Sequence, residues 1–397
     1  MATGLPYGTT FPSDQVRVDG ALHLQENERG LRPRRLPAWT RARTPHPFVD
    51  VVVEATAGVR LVLRTEATTL ELTLHTTRVV VPGGAPLAAA VDLVVDGSLV
   101  RRESLTGGDL LHIVSVRNDV DLVPGEADTV RFSGLATGDK QVEIWLPQSV
   151  ACDLVSLRAD AELRTADPDT RPRWVHYGSS VSHCLEAEGP TGTWPSVAAA
   201  AGGLHLTNLG FAGNAMLDPF VARAIRDMPA DLISLKIGAN ITEQATMRLR
   251  TFLPAVHGFL DTIRDGHPDT PVMVISPIPS PTLEHTPGPT VTDPGTRRPR
   301  ASGSADQVPL GALTLATVRE HLRDLVAQRR ESDPALSHLD GRELLGADET
   351  ADLHDGLHPT APAYLRMGTR FADIVAARSW GSCASFGQEA GQEAGQR

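Results

Sequence analysis

The hydrophobic pattern divides the chain into two parts of different periodicity. From about residue 48 to residue 158, short runs rich in Val, Leu and Thr often alternate apolar with polar positions, and turns containing Gly, Asp or Pro separate them. The runs are FVDVVVEA, VRLVLRT, TLELTLHTT, AAVDLVVDG, DLLHIVSV, TVRFSG and KQVEIWLP. Such alternation and turn spacing are typical of antiparallel β-structure. We therefore expect an all-β domain of the sandwich or jelly-roll kind over residues 1–168.

The second part alternates strand-like and helix-like segments. A polar, Pro-containing stretch at residues 164–173, RTADPDTRPR, is the expected linker. Five short apolar runs follow, and each precedes a segment of helical character: RWVHYG, LHLTNLG, ADLISLKIG, PVMVISPI and LSHLDG. This alternation predicts an α/β domain over residues 169–381, with three layers and a five-stranded parallel sheet.

Two segments do not fit either pattern. Residues 279–309 are rich in Pro and Gly and too long for a simple connection, so they are interpreted as either a functional lid or a disordered loop. The C-terminal residues 382–397 contain the repeated unit GQEA, and this low complexity predicts a disordered tail.

The charge and the lengths of the apolar stretches limit the kinds of molecule that the protein is expected to bind. The chain of 397 residues has 37 basic and 48 acidic side chains, a formal net charge of -11, and no basic run offsets it. Nucleic acids and anionic membranes are therefore poor partners. The N-terminus lacks a basic and apolar signal pattern, and no stretch approaches the roughly 18 apolar residues of a membrane span. We expect a cytoplasmic protein that does not span a membrane.

Cysteine usage agrees with a reducing compartment. The three cysteines, Cys152, Cys184 and Cys383, are an odd number and lie far apart in the chain. They indicate neither a disulfide framework nor a paired-cysteine metal site. The sequence gives no reason to expect a metal or another cofactor.

Groups suited to acyl transfer follow four of the predicted strands. They lie in YGSS (177–180), NLGFAGN (208–214), KIGAN (236–240) and DLHDGLHP (352–359). Ligand sites of open parallel sheets form at the carboxyl ends of the strands, so we expect these groups to converge. A serine, a glycine N–H, an asparagine amide and an Asp-x-x-His pair are the set needed for chemistry through a covalent serine ester.

The four segments resemble, in the same order, the sequence blocks of the SGNH/GDSL hydrolase superfamily. Gly178, Ser179 and Ser180 match the first block, which is Gly-Asp-Ser in many members, so Ser179 stands where aspartate is usual. The resemblance implies that Ser180 is the nucleophile and that Ser179 is a supporting residue.

The remaining blocks carry the other roles that the resemblance implies. Gly213 matches the glycine of the second block, and Asn240 matches the asparagine of the third, although Ile241 follows it where aspartate is common. Asp355 and His358 match the last block.

A serine hydroxyl is inert until a base removes its proton, and His358 is the implied base, held by Asp355. The implied oxyanion hole consists of the Ser180 and Gly213 backbone N–H groups and the Asn240 side chain.

Substrate-binding candidates near the nucleophile are Ser179 and His183. His176 and His183 both flank the site and one of them could touch the substrate, but a structural histidine with satisfied hydrogen bonds is the favoured explanation of each. In the first part of the chain, Trp39, Arg41 and Arg43 of WTRART could contact a ligand. The alternative for these three is a solvated edge with one buried tryptophan.

The resemblance implies a serine esterase that acts on an acyl ester, acetyl among the possibilities, of a small-molecule or sugar-like alcohol. The order of the two domains is similar to that of microbial carbohydrate deacetylases and acyl esterases. Two alternatives stay open at this point. One is an acyltransferase that uses the same acyl-enzyme with an alcohol or amine acceptor. The other is a non-catalytic carbohydrate-binding protein. Sequence does not separate hydrolysis from transfer, because the difference lies in water exclusion and acceptor binding.

Overall fold

A computed structural model describes residues 5–45, 47–81, 84–113 and 120–378. The predicted tail, residues 382–397, lies outside the described residues, as does Cys383. No helix within the described ranges is long and apolar enough to cross a membrane.

The chain divides into two compact units. The first unit comprises Met1–Thr170 with two short later segments, His183–Gly192 and Thr207–Leu209. The second unit comprises Arg171–Ser182, Thr193–Leu206 and Gly210–Arg397.

The first unit is built from two β-sheets. Its strands are β1 (Tyr7–Thr10), β2 (Arg17–Asp19), β3 (His23–Asn27), β4 (Gly30–Arg34), β5 (Arg60–Thr65), β6 (Thr69–Val80), β7 (Ala89–Val95), β8 (Ser98–Leu105), β9 (Asp109–Ile113), β10 (Val120–Val123), β11 (Asp128–Ser133), β12 (Lys140–Trp145), β13 (Ala151–Ala159) and β14 (Leu163–Thr165). One sheet has the order β10-β9-β6-β13-β4-β3, with β1 on β13 and β11 on β6. The other has the order β14-β5-β12-β7-β8, with β2 on β5.

Both sheets contribute to one hydrophobic core. Leu72 of β6 and Phe132 of β11 come from the first sheet, and Leu63 of β5 and Ile144 of β12 come from the second. All four side chains are fully buried. Along β6 the residues that enter this core occupy alternate positions, since side chains of a strand point to opposite faces in turn. The expectation of a mainly β domain ahead of the α/β domain is confirmed.

One predicted strand is wrong. The run FVDVVVEA forms helix α1 (Pro47–Glu54) instead. Val49 and Val53, four residues apart, are buried on one face of this helix. Arg34 of β4 is also buried, and its guanidinium ion-pairs with Asp50 in the first turn of the helix at 2.6 Å. Tertiary packing and this ion pair outweigh the strand propensity of valine, which depends on context. The residues before position 48, which showed no strand pattern, provide β1 to β4.

The second unit has the predicted α/β architecture. Its strands are β15 (Arg173–Gly178), β16 (His205–Gly210), β17 (Leu232–Lys236), β18 (Val272–Ile275), β19 (Thr290–Thr292), β20 (Pro299–Ala301) and β21 (Leu336–Leu339). The order β16-β15-β17-β18-β21 forms the five-stranded parallel sheet, in which Tyr177 pairs with Leu235 and Ile275 with Leu339. All five strands were predicted from their apolar runs.

The helices that follow α1 connect or flank these strands. They are α2 (Ser180–His183), α3 (Trp194–Gly202), α4 (Pro219–Asp227), α5 (Ala239–Glu243), α6 (Leu249–Arg264), α7 (Leu315–Arg329) and α8 (Ala361–Ala377). Helix α3 packs on α8, and α4 packs on α6. Helix α7 buries Val318, Leu322 and Leu325 on one face, at the three- and four-residue spacing of an amphipathic helix.

The long Pro- and Gly-rich segment, residues 279–309, has structure of its own. It contains the hairpin β19–β20, whose strands pair antiparallel, and a 3₁₀ helix at Ala305–Leu310 begins within it. Its first residues are anchored to α7. The Leu315 N–H donates to the Leu283 carbonyl at 3.0 Å, and the Arg319 guanidinium ion-pairs with Glu284.

Three large aromatic rings form the contact between the sheet and helices α3 and α8. Trp174 of β15 stacks on Phe371 of α8 with ring centroids 5.0 Å apart, and Trp194 of α3 meets Phe371 edge-on at 5.3 Å. All three side chains are fully buried. Aromatic residues bury large apolar areas, so this cluster is a major source of stability for the second unit.

We expect Phe371→Ala to lower the free energy of unfolding of the second unit by about 3 to 5 kcal/mol, because it leaves a cavity between two tryptophans. Leu365→Ala on the same helix is the matched control, since Leu365 is 48% exposed. Its effect should stay within about 0.5 kcal/mol. Urea unfolding followed by tryptophan fluorescence measures both variants. Equal effects of the two substitutions would contradict the role of the cluster.

Candidate active site

The predicted nucleophile stands at a tight turn after the strand β15. Gly178 ends β15 and Ser180 begins α2. A Cβ atom on Gly178 would lie 2.8 Å from the Cβ of Ser182, closer than real Cβ atoms come. The Ser182 N–H donates to the Ser179 carbonyl at 3.0 Å and closes the turn. The glycine therefore allows Ser182 to approach the end of β15 closely, and the turn places Ser180 at the carboxyl end of the strand.

A chain of hydrogen bonds joins the three predicted catalytic residues. The Ser180 Oγ lies 2.9 Å from the His358 Nε2, and the His358 Nδ1 lies 2.7 Å from the Asp355 Oδ2. The other carboxylate oxygen of Asp355 accepts the backbone N–H groups of Leu357 and His358, each at 2.8 Å. Residues 178 positions apart in the chain are thus brought into hydrogen-bond contact.

The electrostatics of Asp355 fix the orientation of the imidazole. Burial by itself would raise the pKa of this carboxyl group, but the hydrogen bond from the His358 ring and the two backbone N–H groups outweigh it and hold the pKa well below its usual range. The carboxylate is therefore charged and accepts the Nδ1–H of His358. The Nε2 atom is left as an acceptor for the Ser180 hydroxyl, which is the arrangement that removes a serine proton.

Asn240, a predicted oxyanion donor, is buried with its amide fixed at both ends. Its Oδ1 accepts the Ala215 N–H at 3.1 Å, and its Nδ2 donates to the Glu243 Oε2 at 3.0 Å. An amide nitrogen has two hydrogens, so the bond to Glu243 uses one and leaves the other. Asn240 lines the same pocket as Ser180 and His358.

Gly213, the other predicted donor besides Ser180, lies in the loop that follows β16. Its φ of +69° is in the left-handed region, which glycine adopts without strain. Its carbonyl accepts the Gln244 Nε2–H at 2.7 Å. Gly213 is not among the residues that line the pocket around Ser180.

A narrow pocket, partly open to solvent, lies beside Ser180. Its apolar lining residues are Val181, Ala239, Pro277, Ile278, Leu283, Leu315 and Leu357, and its polar ones are Ser179, Ser180, Lys236, Asn240, Glu243, Ser280 and His358. Val181 follows the nucleophile in α2, and Ala239 begins α5. The other apolar residues lie at or next to the two ends of the long segment and in the turn before His358. Such a lining accommodates an apolar group next to the nucleophile.

The predicted substrate-binding residues have different environments. Ser179 lines the pocket and is 1% exposed. His183 belongs to the first unit, is buried, and its Nε2 lies 2.7 Å from the Gln148 carbonyl oxygen. Burial, together with the charge of Arg35, lowers the pKa of His183 well below its usual value. A neutral ring that donates to a backbone carbonyl matches the structural alternative for this histidine.

Trp39, Arg41 and Arg43 lie in a 3₁₀ helix of the first unit, Ala38–Arg43. Trp39 is 39% exposed, so the alternative in which this tryptophan is buried is wrong. The Arg41 guanidinium ion-pairs with Glu54 at the end of α1, and Arg43 is exposed.

Sequence reasoning missed residues that position this site. Glu243 fixes the amide of Asn240, and its place one helical turn later in the sequence could have indicated the contact. Ser280 donates to the carbonyl of Gly356 at 2.6 Å and so holds the turn between Asp355 and His358. No sequence signal links residues 280 and 356, because tertiary folding alone brings them together.

His176 also supports the nucleophile turn. Its Nε2 lies 2.8 Å from the Ser182 Oγ, and its Nδ1 lies 2.7 Å from the Ser234 Oγ. Burial, followed by the positive charge of Lys236, lowers the pKa of His176 to about 3. The ring is therefore neutral and structural, as one alternative for this residue proposed.

Comparison with known families identifies the first part of the second unit. Residues 171–284 match the profile of the GDSL-like lipase/acylhydrolase family. This part of the chain is a GDSL-like lipase/acylhydrolase domain. The match confirms the predicted resemblance and the predicted enzyme class. It ends before Asp355 and His358, which the structure brings to Ser180.

Residues 16–152, ahead of this GDSL-like domain, match a family described as the SsfX3 N-terminal domain. Among solved structures, the chain is similar to a salicylyl-acyltransferase, SsfX3, from a tetracycline biosynthetic pathway. The two share 28% identity, the match covers 96% of this chain and 99% of that one, and the TM-score is 0.80.

Two further structures share the fold at lower identity. A putative GDSL-like lipase from Bacteroides ovatus is 18% identical, with 94% and 98% of the two chains covered and a TM-score of 0.67. A family two carbohydrate esterase from Clostridium thermocellum is 14% identical, with 82% and 94% covered and a TM-score of 0.54. No curated protein sequence matches this chain.

The pH dependence of kcat/KM should show a single ionisation on the acid side of the profile. Because the pKa of Asp355 is held well below its usual range, this carboxylate stays charged from about pH 4.5 to 8, and only the His358 imidazole has to lose a proton. The logarithm of kcat/KM for an activated ester should therefore rise with pH with a limiting slope of one. A limiting slope of two would show that a second group also titrates.

Proposed function

We propose that this protein transfers an acyl group through a covalent ester on Ser180. The observation that supports it best is the continuous hydrogen-bond chain from the Ser180 hydroxyl through His358 to Asp355, with contacts of 2.9 and 2.7 Å. In the first step the Ser180 Oγ attacks the carbonyl carbon of the donor while His358 Nε2 takes the hydroxyl proton. Asp355 stabilises the imidazolium that forms. The bond from the carbonyl carbon to the leaving group then breaks, His358 gives its proton to the leaving group, and the acyl group stays on the Ser180 Oγ. In the second step the acceptor attacks this ester while His358 takes the acceptor's proton; the bond to the Ser180 Oγ breaks, and His358 returns the proton to Ser180.

The oxyanion of the tetrahedral intermediate needs donors that are already in place. We assign this role to the Ser180 and Gly213 N–H groups and to the remaining Nδ2–H of Asn240. Fixed donors of this kind typically contribute about 3 kcal/mol each, because they need no reorganisation during the reaction. The double anchoring of the Asn240 amide supplies that fixed orientation.

The pocket supports an apolar acyl group. Side chains such as Ile278, Leu315 and Leu357 form a wall next to Ser180, and no metal or cofactor is required for the steps above. The net charge of -11 favours a small-molecule partner over polyanions. We propose a compact apolar acyl donor, a class that includes the salicylyl group named for the similar acyltransferase.

The acceptor that we favour is an alcohol or amine of a small molecule. This preference is supported by the similarity to an acyltransferase along nearly the whole chain, at 28% identity. Hydrolysis is the second candidate, because the matching family is one of lipases and acylhydrolases. The acyl-enzyme is the same in both, and only the second nucleophile differs.

The acyl-enzyme itself can be detected by intact-mass measurement. After incubation with a panel of activated aroyl and acyl esters, the native chain should gain the mass of one acyl group, and Ser180→Ala should gain none. Asp355→Asn should acylate more slowly, on the order of 10⁴-fold, as in a well-studied serine triad. Ser332→Ala, which removes an exposed serine, is the control and should label fully. Labelling of Ser180→Ala at the native rate would refute the assignment.

Transfer and hydrolysis are separated by the products. When small alcohols and amines are added to the native protein with an activated ester, transfer predicts acylated acceptor in excess over the amount formed in protein-free solution. The acylated fraction should rise with acceptor concentration and then saturate, because the acceptor binds before it reacts. If free acid is the only enzymatic product at every acceptor concentration, the protein is an esterase. Chromatography coupled to mass spectrometry quantifies both products.

A further inference from the structure

A second cavity of the α/β unit lies behind helix α5, away from the nucleophile. Its volume is about 230 Å³, and none of the residues that line it also lines the pocket beside Ser180. We call it the α5 cavity. Six of the residues on its wall are Ile241, Met247, Arg248, Pro287, Gln307 and Leu313.

Helix α5 separates the two cavities. Ala239, Asn240 and Glu243 line the pocket of the nucleophile, whereas Ile241 and Thr242 line the α5 cavity. Successive residues of an α-helix are rotated by about 100°, so positions 239, 240 and 243 share one face and positions 241 and 242 lie on the other. The α5 cavity is therefore a site distinct from the one that contains Ser180.

Much of the wall of the α5 cavity is apolar. Ile241, Pro287 and Leu313 are buried, and Met247 adds a flexible side chain that adapts to the shape of a ligand. An apolar cavity of about 150 Å³ already admits a benzene molecule. The α5 cavity therefore has room for a six-membered hydrocarbon ring with one small substituent.

Arg248 gives this wall a positive charge. It stands directly before α6, and its Nη1 donates to the Leu310 carbonyl at 3.2 Å. Leu310 lies between Gln307 and Ala312, which both line the cavity. The far end of the arginine side chain is therefore held at the wall that residues 307–313 form.

The other donors of Arg248 suit a carboxylate. Its Nε and Nη2 make no hydrogen bond within the described part of the protein. The same two atoms of Arg32 hold both carboxylate oxygens of Asp153, at 2.7 and 2.6 Å. Among the described residues, none that lines the α5 cavity is acidic, and the side-chain amide of Gln307 is a further donor on the wall. The cavity thus combines an apolar space with a pair of donors for an anion.

We propose that the α5 cavity binds a small monocarboxylate with a compact hydrocarbon body. The carboxylate oxygens accept hydrogen bonds from the Nε and Nη2 of Arg248, and the hydrocarbon body packs against Ile241 and Leu313. Bonds between two charged groups are roughly twice as strong as neutral ones, so the anion binds better than a neutral molecule of the same shape. This site does not depend on the proposed function, because it involves no step at Ser180.

The test uses cyclohexanecarboxylate as the probe and cyclohexanecarboxamide as its neutral counterpart. The chain contains six methionines, which can be labelled with ¹³C in the methyl group and followed by NMR. Met247 lines the α5 cavity, and no described methionine lines the pocket beside Ser180. The Met247 signal, identified with Met247→Leu, should shift in a saturable way with the carboxylate. The signal of Met273, which is buried in β18, should stay in place.

We expect the carboxamide to bind about tenfold more weakly or worse than the carboxylate. Arg248→Gln should raise the Kd of the carboxylate by a similar factor, because it removes the charge. Ala312→Leu, which keeps the charge but fills part of the cavity, should also weaken binding. The matched control is Arg250→Gln, since Arg250 is an exposed arginine of α6 that does not line the cavity, and its Kd should equal the native one. An unchanged Met273 signal in each variant shows that the fold is intact.

Three results would overturn the proposal. Equal affinity for the carboxylate and the carboxamide would show that the site does not select an anion. A native Kd in Arg248→Gln would show that this guanidinium does not hold the carboxylate. If millimolar carboxylate inhibits ester turnover but leaves the Met247 signal in place, the probe binds beside Ser180 and not in the α5 cavity.

Discussion

The hydrogen bond between Asp355 and His358 is the interaction on which the proposed chemistry depends. It fixes the tautomer of the imidazole, and it exists because a short turn brings the carboxylate back to the backbone N–H groups of Leu357 and His358. Ser280 holds this turn from outside through the Gly356 carbonyl. A three-residue spacing in sequence thus becomes a rigid acid–base pair, because four hydrogen bonds define it.

The proposed chemistry also requires the parallel sheet, because the sheet brings residues from distant parts of the chain to one edge. Strands β15 and β17 are neighbours. Strand β15 ends at Gly178, directly before the nucleophile turn, and β17 ends at Lys236, which lines the pocket. The helix α5 that follows β17 presents Asn240 next to Ser180, while the return from β21 leads to Asp355 and His358. The aromatic cluster around Phe371 anchors the far helices to the sheet, so that these loops start from a fixed frame.

Much of this could be predicted from sequence, for a physical reason. Buried parallel strands are apolar throughout, so all five appeared as apolar runs, and their carboxyl ends indicated the residues that the structure brings together. Helix α1 was missed because a run rich in valine has strand propensity, whereas its burial and the Arg34 ion pair are tertiary. Strands β1 to β4 and the hairpin β19–β20 are short and partly exposed, so they leave little hydrophobic signal. The contact of Ser280 with Gly356 joins distant residues and has no local signature.

The anchoring of the long segment has a consequence for how specificity could evolve. Its first residues provide Ser280 and Leu283 to the site, and the Glu284 ion pair with Arg319 fixes them to α7. Beyond this attachment the chain continues into the hairpin β19–β20 before it returns to α7. Gly288 lies against α5 again, since a Cβ atom there would be 2.2 Å from the Thr242 carbonyl oxygen. Between these two attachments and α7, the exposed turn that joins β19 to β20 is the place where a change of length would disturb the catalytic residues least.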